Sequence, residues 1–516
     1  MKKLMILAAL AALFCSCTNE LTTQVKVTGG TVEGYEADGL TIFKGIPFAA
    51  PPVGELRWKA PQPVIPWEGV LETKEYSKGP FQMGNPDSFS EDCLYLNVWT
   101  PAKETDEKLP VLVWIYGGGF SMGSTADPNY DCEALARKHG DVIMASMNYR
   151  VGQMGFFAHP ELDKESPAGV SGNYGLLDQI AALQWIQDNI SAFGGDPEKV
   201  TIFGESAGGI SVSMLCASPL AAGLFRGAIS ESGGNFSHAR PNTYPGENMQ
   251  DLAMAEESCL AMAEQLGATS LAELRALDPS AFARFMMGAG SWPIVDGYVI
   301  PGDQYELYEN GNFNDVNVLI GYNSDEGASF SGNFAGLGDD HATGVHNRFE
   351  IFADTLLTAY PLEPDGTAGK TARDLLRDVS FGWHTWSWAR LQTEKGQSKA
   401  YLYYFDQPDP GAEGSPHGQE VGYVFQHLDA EKNSAESLSL SDIMGDYWLN
   451  FTKYGTPSPE GAELPVWEAF SNEDPQCMLL TGNGPHMVPV IDEDALWVLN
   501  GYYEWRRTPE GHTWEQ

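Results

Sequence analysis

Basic residues are scarce in this chain: 30 lysines and arginines face 70 aspartates and glutamates, a formal net charge of −40. Such a surface repels phosphate backbones and anionic lipid head groups, so nucleic acid is excluded as a partner. The acidity reads as a solubility adaptation and names no substrate. Loss of Lys2 and Lys3 with a cleaved leader would make the mature chain more acidic still. Beyond the first residues there is no run of about 20 apolar residues, so no helical membrane span is expected. Cysteine is also sparse. Beyond Cys15 and Cys17 there are Cys93, Cys132, Cys216, Cys259 and Cys477, an odd number that allows two bridges at most and makes no disulfide framework. No Cys/His cluster has the spacing of zinc ligands, so no metal site is expected. Linker-like Pro/Ser/Gln runs, charge blocks and fixed-period repeats are missing too, which argues against several domains in 516 residues.

The N-terminus has a short basic region, Lys2 and Lys3, then an apolar stretch from Leu4 to Phe14 that is too short to span a bilayer. This is an export signal. Ser16-Cys17 resembles the processing site of bacterial lipoproteins, in which Cys17 becomes the lipidated first residue. The expected organisation is a signal peptide over 1–17 and one large α/β domain with long inserted loops over 18–516. The expected location is the bacterial cell envelope, held by a lipid anchor that is the only membrane contact. Plain release to the periplasm or medium is the alternative.

The stretch TIFGESAGG, Thr201 to Gly209, carries a Gly-x-Ser-x-Gly motif. The motif alone says little in a chain with 56 glycines. Its context says more. Lys199 to Phe203 reads as a β-branched and aromatic strand, and AGGISVSMLCASP reads as a helix stopped at Ser218-Pro219. A sharp strand-to-helix turn holds a serine hydroxyl out of the backbone, which makes Ser206 a candidate nucleophile. Cys216 falls at a core position of that helix.

A serine needs an anion trap, a base and an orienting acid. Upstream, Leu109 to Phe120 is a buried strand ending in three glycines. Two of their N–H groups, with that of Ala207, can hold a tetrahedral oxyanion. Of ten histidines, His417 stands out, because it follows the strand Lys399 to Phe405 in a Pro/Gly-rich loop; His427 is expected on the helix after it. For the acid, the strand Val316 to Tyr322 runs into the turn NSDEG, and spacing leaves Asp325 and Glu326 as alternatives. SFGWHTWSWARL, Ser380 to Leu391, is aromatic at helical spacing. It reads first as core packing, with Phe381, Trp383 and Trp386 as candidate gorge residues. SGNFAGLGDDHATGVHN, residues 331–347, reads as a loop bordering the site.

Taken together these segments resemble the type-B carboxylesterases, the family that includes the cholinesterases. FKGIPFAAPPVGELRWKAPQP, EDCLYLNVWTP, WIYGGGF, MNYRVGQMGFF, GNYGLLDQIAALQWIQDNISAFGGDPEKVTIFGESAGG, ISESGG, NSDEG, SPHGQE and WLNFTKYGTP follow in that family's order over nearly the whole chain. The resemblance implies the α/β-hydrolase fold, a mostly parallel sheet with helices on both faces. It implies Ser206 as nucleophile, Glu326 as acid and His417 as base, with Gly118, Gly119 and Ala207 as oxyanion donors. Glu205 matches a buried carboxylate beside the nucleophile, and Ser232 a hydroxyl near the triad. It implies hydrolysis of carboxylic esters, small or glycan-linked, with no cofactor. Two other readings are an esterase confined to acyl groups on polysaccharide side chains and a non-catalytic adhesion relative. The chain departs from the family pattern in two places. No cysteine between Cys17 and Cys93 can close the small loop that the family's signature closes. PFQMGNPDSFSEDC also lacks the tryptophan with which cholinesterases hold a quaternary ammonium, so choline esters are not the expected substrate.

Overall fold

The computed structural model describes residues 19–241, 244, 246–285, 287–330, 341–362 and 369–513. The leader with Lys2, Lys3 and Cys17, and the 331–340 part of the expected border loop, lie outside the described residues. The 341–347 part of that loop is helical: His341–Phe349 forms a helix with His341, Val345 and Phe349 buried.

Among the described residues eleven strands form the central sheet. In chain order they are β1 (Tyr35–Ala37), β2 (Leu40–Pro47), β3 (Tyr95–Thr100), β4 (Leu109–Ile115), β5 (Ile143–Met147), β6 (Gly195–Glu205), β7 (Gly227–Glu231), β8 (Asn317–Asn323), β9 (Ala400–Phe405), β10 (Gln476–Leu480) and β11 (His486–Pro489). The spatial order is β11-β10-β9-β8-β7-β6-β4-β5-β3-β2-β1. Neighbours from β5 through β4 and β6 to β10 are parallel, and the pairs at both flanks are antiparallel. The parallel strands read as continuous apolar runs because helices cover both faces. In β9, for example, all six residues of AYLYYF are buried.

The helix after β6, α1 (Ala207–Ala217), is buried at every position, Cys216 included. A helix apolar all round belongs inside a large core, and this one runs from the sheet edge of the site into the interior. Cys93, Cys132, Cys216, Cys259 and Cys477 are all buried free thiols. Among the described residues no helix is long and apolar enough to cross a membrane.

The aromatic segment divides. Asp378–Gly382 forms a π-helical turn, and α2 (Trp383–Lys395) continues from it. Trp383 and Trp386 have no exposure and belong to the core: Trp383 stacks on Tyr503 at 3.8 Å, and Trp386 meets Trp497 edge-on at 4.8 Å. Only Phe381, in the π turn, reaches the site. His427 is not helical; it lies just past α3 (Gln419–Val424), its Nε2 2.9 Å from the Asp131 carbonyl. The core reading of Trp386 has a direct check. Trp386→Ala leaves a large void and is expected to cost about 3–5 kcal/mol of stability. Urea unfolding followed by circular dichroism measures it, and a cost below about 1 kcal/mol would return this ring to the surface.

Candidate active site

Ser206 occupies the single residue between β6 and α1, with φ 57° and ψ −124°. A non-glycine residue pays for that conformation, and it persists because the surroundings leave no other path. A Cβ at Gly204 would lie 2.6 Å from the Ile115 carbonyl oxygen, and one at Gly208 only 2.0 Å from it. Both motif glycines are therefore fixed by close approach to the end of β4. The Ser206 N–H donates to the Glu231 carbonyl at 2.9 Å, pinning the turn to β7. Ala207 opens α1, so its N–H has no partner within the helix.

The glycine loop follows β4. Gly118 and Gly119 have φ of 108° and 59°. Gly117, which the sequence reading passed over, makes the closest contact with the turn: a Cβ there would lie 2.6 Å from the Glu205 carbonyl and 2.9 Å from the Ser206 Cβ. The loop thus runs past the serine, where a side chain would push it away.

His417 lies in the loop after β9. Its Nδ1 is 2.5 Å from Glu326 Oε2. The ring is held from the sides by Phe381, stacked at 4.7 Å, and Phe330 at 4.9 Å. Its other nitrogen, Nε2, points toward the elbow, 3.2 Å from Glu205 Oε1. The geometry separates the two acid candidates. Glu326 is fully buried, accepting from the Asn323 N–H at 2.7 Å and the Ser232 hydroxyl at 2.5 Å. Asp325 turns away and pairs with Arg373 at 2.9 Å.

A further buried carboxylate, Glu420, completes the cluster. It sits in the first turn of α3 and accepts from the Asn323 side-chain amide, with the Ser232 hydroxyl at 3.3 Å. Sequence reading missed it, although it stands three places after His417 in the quoted SPHGQE. Glu231, at the end of β7, is also fully buried and takes a hydrogen bond from Trp448 Nε1 at 2.7 Å. Burial pushes its carboxyl well above the usual range, favouring the neutral form.

Burial works against a charged imidazole, yet Glu205 and then Glu326 outweigh it and hold the His417 pKa up at about 9. The carboxylates respond in turn. Burial lifts Glu205 to about 7, with His417 opposing and Glu326 adding to the rise. Burial, Glu205 and Glu326 lift Glu420 to about 8. These groups share protons and titrate together. At neutral pH these shifts favour an imidazolium between the buried carboxyl groups. A proton NMR titration of His417 is expected to show a charged ring at pH 7. Glu205→Gln removes the largest favourable charge and is expected to lower the ring's pKa. A ring already neutral at pH 7, or unmoved by that substitution, would contradict this electrostatic picture.

Among the described residues no group of three or more His, Cys, Asp or Glu is arranged to hold a metal. The arrangement has the parts of nucleophilic acyl chemistry: a half-buried hydroxyl on a strained turn, backbone N–H groups beside it, and an imidazole oriented by a buried acid.

Known proteins similar to this chain include ester hydrolases. The profile of the carboxylesterase family matches residues 21–489. Fumonisin B1 esterase of Sphingopyxis macrogoltabida is 37% identical over 454 residues, covering 83% of this chain and 81% of that protein. Para-nitrobenzyl esterase of Bacillus subtilis is 32% identical, covering 89% and 95%. The structure of a Geobacillus stearothermophilus carboxylesterase superposes with a TM-score of 0.80 at 30% identity, over 92% of this chain and all of that one. The chain belongs to the carboxylesterase family, has its α/β-hydrolase fold, and is a serine hydrolase acting on carboxylic esters.

Proposed function

We propose that the chain hydrolyses carboxylic esters in two steps through an acyl-enzyme on Ser206, and that it does so outside the cytoplasm. The observation that carries the first part is the 2.5 Å contact of His417 Nδ1 with Glu326, which leaves Nε2 as the nitrogen facing the elbow. His417 in its neutral form takes the Ser206 proton as Oγ attacks the ester carbonyl. The carbonyl oxygen gains the negative charge, and the N–H groups of Gly118, Gly119 and Ala207 stabilise it. The C–O bond to the alcohol breaks as His417 returns the proton to the leaving oxygen. Water then repeats the sequence on the acyl-enzyme and releases the acid. Glu326 holds the ring in the required tautomer and offsets its positive charge. Ser232 and Asn323 fix Glu326, and Glu205 sets the ring's proton affinity from the other side.

Because the base must be neutral, and His417 is held up near 9, kcat/KM is expected to rise with pH through the alkaline range. Glu205→Gln is expected to move that rise to lower pH. A flat profile between pH 7 and 10 would contradict a His417 base whose pKa is held up near 9. With p-nitrophenyl esters of increasing acyl length, a burst of p-nitrophenol equal to the enzyme concentration reports the acyl-enzyme. Ser206→Ala is expected to abolish the burst and lower kcat by about 10⁴-fold or more. A variant that kept its burst would remove Ser206 from the mechanism.

Export is proposed on the Lys2-Lys3 and Leu4 to Phe14 pattern, and lipid anchoring on Cys17. Palmitate labelling in a bacterial host is expected for the full chain and not for Cys17→Ser. Export without labelling would leave a secreted or periplasmic enzyme with no anchor.

A further inference from the structure

Three consecutive glycines are a poor way to hold two N–H groups still, because glycine has the most backbone freedom to lose. An oxyanion hole works only if its donors are fixed before charge develops. The question is what fixes this loop from outside. Its start is held at Tyr116, whose hydroxyl and carbonyl both bond to Tyr149, at 3.0 and 2.8 Å. Its end is held at Thr125, whose N–H donates to Asn148 Oδ1 at 3.0 Å. Between these points the loop closes on itself, with Ser121 and Met122 N–H both donating to the Gly118 carbonyl at 3.1 Å.

From outside, the Phe120 carbonyl accepts from the Gly152 N–H at 2.7 Å, and a further contact comes from a different segment. Gln82 is 8% exposed and lies beyond the short strand Gly79–Pro80, outside the central sheet. Its side-chain amide pairs with Gly123 as a second backbone would. Gln82 Nε2 donates to the Gly123 carbonyl at 2.7 Å, and the Gly123 N–H donates to Gln82 Oε1 at 3.0 Å. A further Nε2 bond to the Pro80 carbonyl, at 3.1 Å, fixes the amide in its own segment. Gly123 is itself wedged against the loop's start. With φ 120°, a Cβ there would fall 2.3 Å from the Tyr116 ring and 2.7 Å from the Gly117 carbonyl. Whatever holds Gly123 therefore bears on Gly117, and Gly117 packs on Ser206. Among the described residues no disulfide supports the Gln82 segment, since Cys93 is free; Gly79–Pro80 pairs with Phe89–Ser90, and Asn148 Nδ2 donates to the Lys78 carbonyl at 3.3 Å.

We propose that Gln82 is a positioning residue for the oxyanion hole: its amide clamps Gly123 and so fixes the Gly117–Gly119 turn beside Ser206. Gln82 touches no reacting atom and acts only through that turn. The inference rests on the hydrolytic reading above. If wild-type enzyme failed to turn over esters, that reading would fall first and separately.

The test compares Gln82→Leu with wild type on one p-nitrophenyl ester, together with binding of a trifluoromethyl ketone that forms a tetrahedral adduct with the serine. A lost oxyanion donor costs on the order of 10²–10³-fold in kcat, and a loosened pair is expected to cost about tenfold or more. KM is expected to stay within about twofold, because the ground-state carbonyl uses the hole little. Ketone affinity is expected to fall in step with kcat. Gln187→Leu is the control, as its amide binds the Pro197 and Leu224 carbonyls away from the site. If Gln82→Leu does not fold, Gln82→Asn keeps the amide, falls one methylene short of Gly123, and is read in the same way. A folded variant with kcat and ketone affinity unchanged overturns the proposal. So does a rise in KM alone, or an equal loss in Gln187→Leu, either of which would mark Gln82 as a general stabiliser.

Discussion

One imidazole ring, held out of water between two carboxylates, is the point on which the site depends. His417 bonds Glu326 through one nitrogen and faces Glu205 through the other. Burial alone would drive the ring neutral and leave it without a fixed orientation. The two acids reverse that sign and set its plane, and Phe330 and Phe381 close the sides. The cost is a group of carboxylates with too little positive charge among them. The structure meets it with donors and protons rather than cations. Ser232 and Asn323 supply hydrogen bonds, and Glu205 and Glu420 are lifted toward neutral pH.

The sheet brings these groups together. Ser206, Ser232, Glu326 and His417 follow the carboxyl ends of β6, β7, β8 and β9, which are consecutive neighbours in space. In an open parallel sheet that edge is where loops converge and ligands bind. β4, on the other side of β6, delivers the glycine loop to the same edge. Five adjacent strands thus bring together the proposed nucleophile, supporting hydroxyl, acid, base and anion donors, although more than 200 residues separate Ser206 from His417 in sequence. The strands are parallel and buried on both faces, so their register is tightly specified and the spacing of the loops follows from it.

Close packing of glycines does the rest. Gly117, Gly204 and Gly208 leave no room for a Cβ, and the contacts that exclude it hold Ser206 at positive φ. The strain is stored where the hydroxyl must project. The buried Glu231 beneath the turn receives the Ser206 N–H on its backbone carbonyl and Trp448 on its side chain, tying the elbow to a distant helix.

Local pattern was enough to read the strand, turn and helix around Ser206, the glycine run after β4, and the late loop holding His417. Each is marked by residues whose conformational demands are local: β-branched strands, glycines at tight turns, a proline stop. Resemblance over the whole chain added Glu326, Glu205 and Ser232. What stayed hidden depends on neighbours far away in sequence. Asp325 and Glu326 are adjacent carboxylates, and only packing decided that one is buried against His417 while the other meets Arg373. Phe381 and Trp383 share one aromatic stretch, and a π turn sent one ring to the site and the other to the core. Gly117, Glu420 and Gln82 carry no local signal of their task, because each acts by touching a segment that the fold alone brings near. The sequence by itself determined which chemistry the chain can perform, since that follows from residue types and turns. Tertiary structure decided which acid lies against His417, in which direction the ring's pKa moves and which segments touch the glycine loop, since these follow from burial and distance.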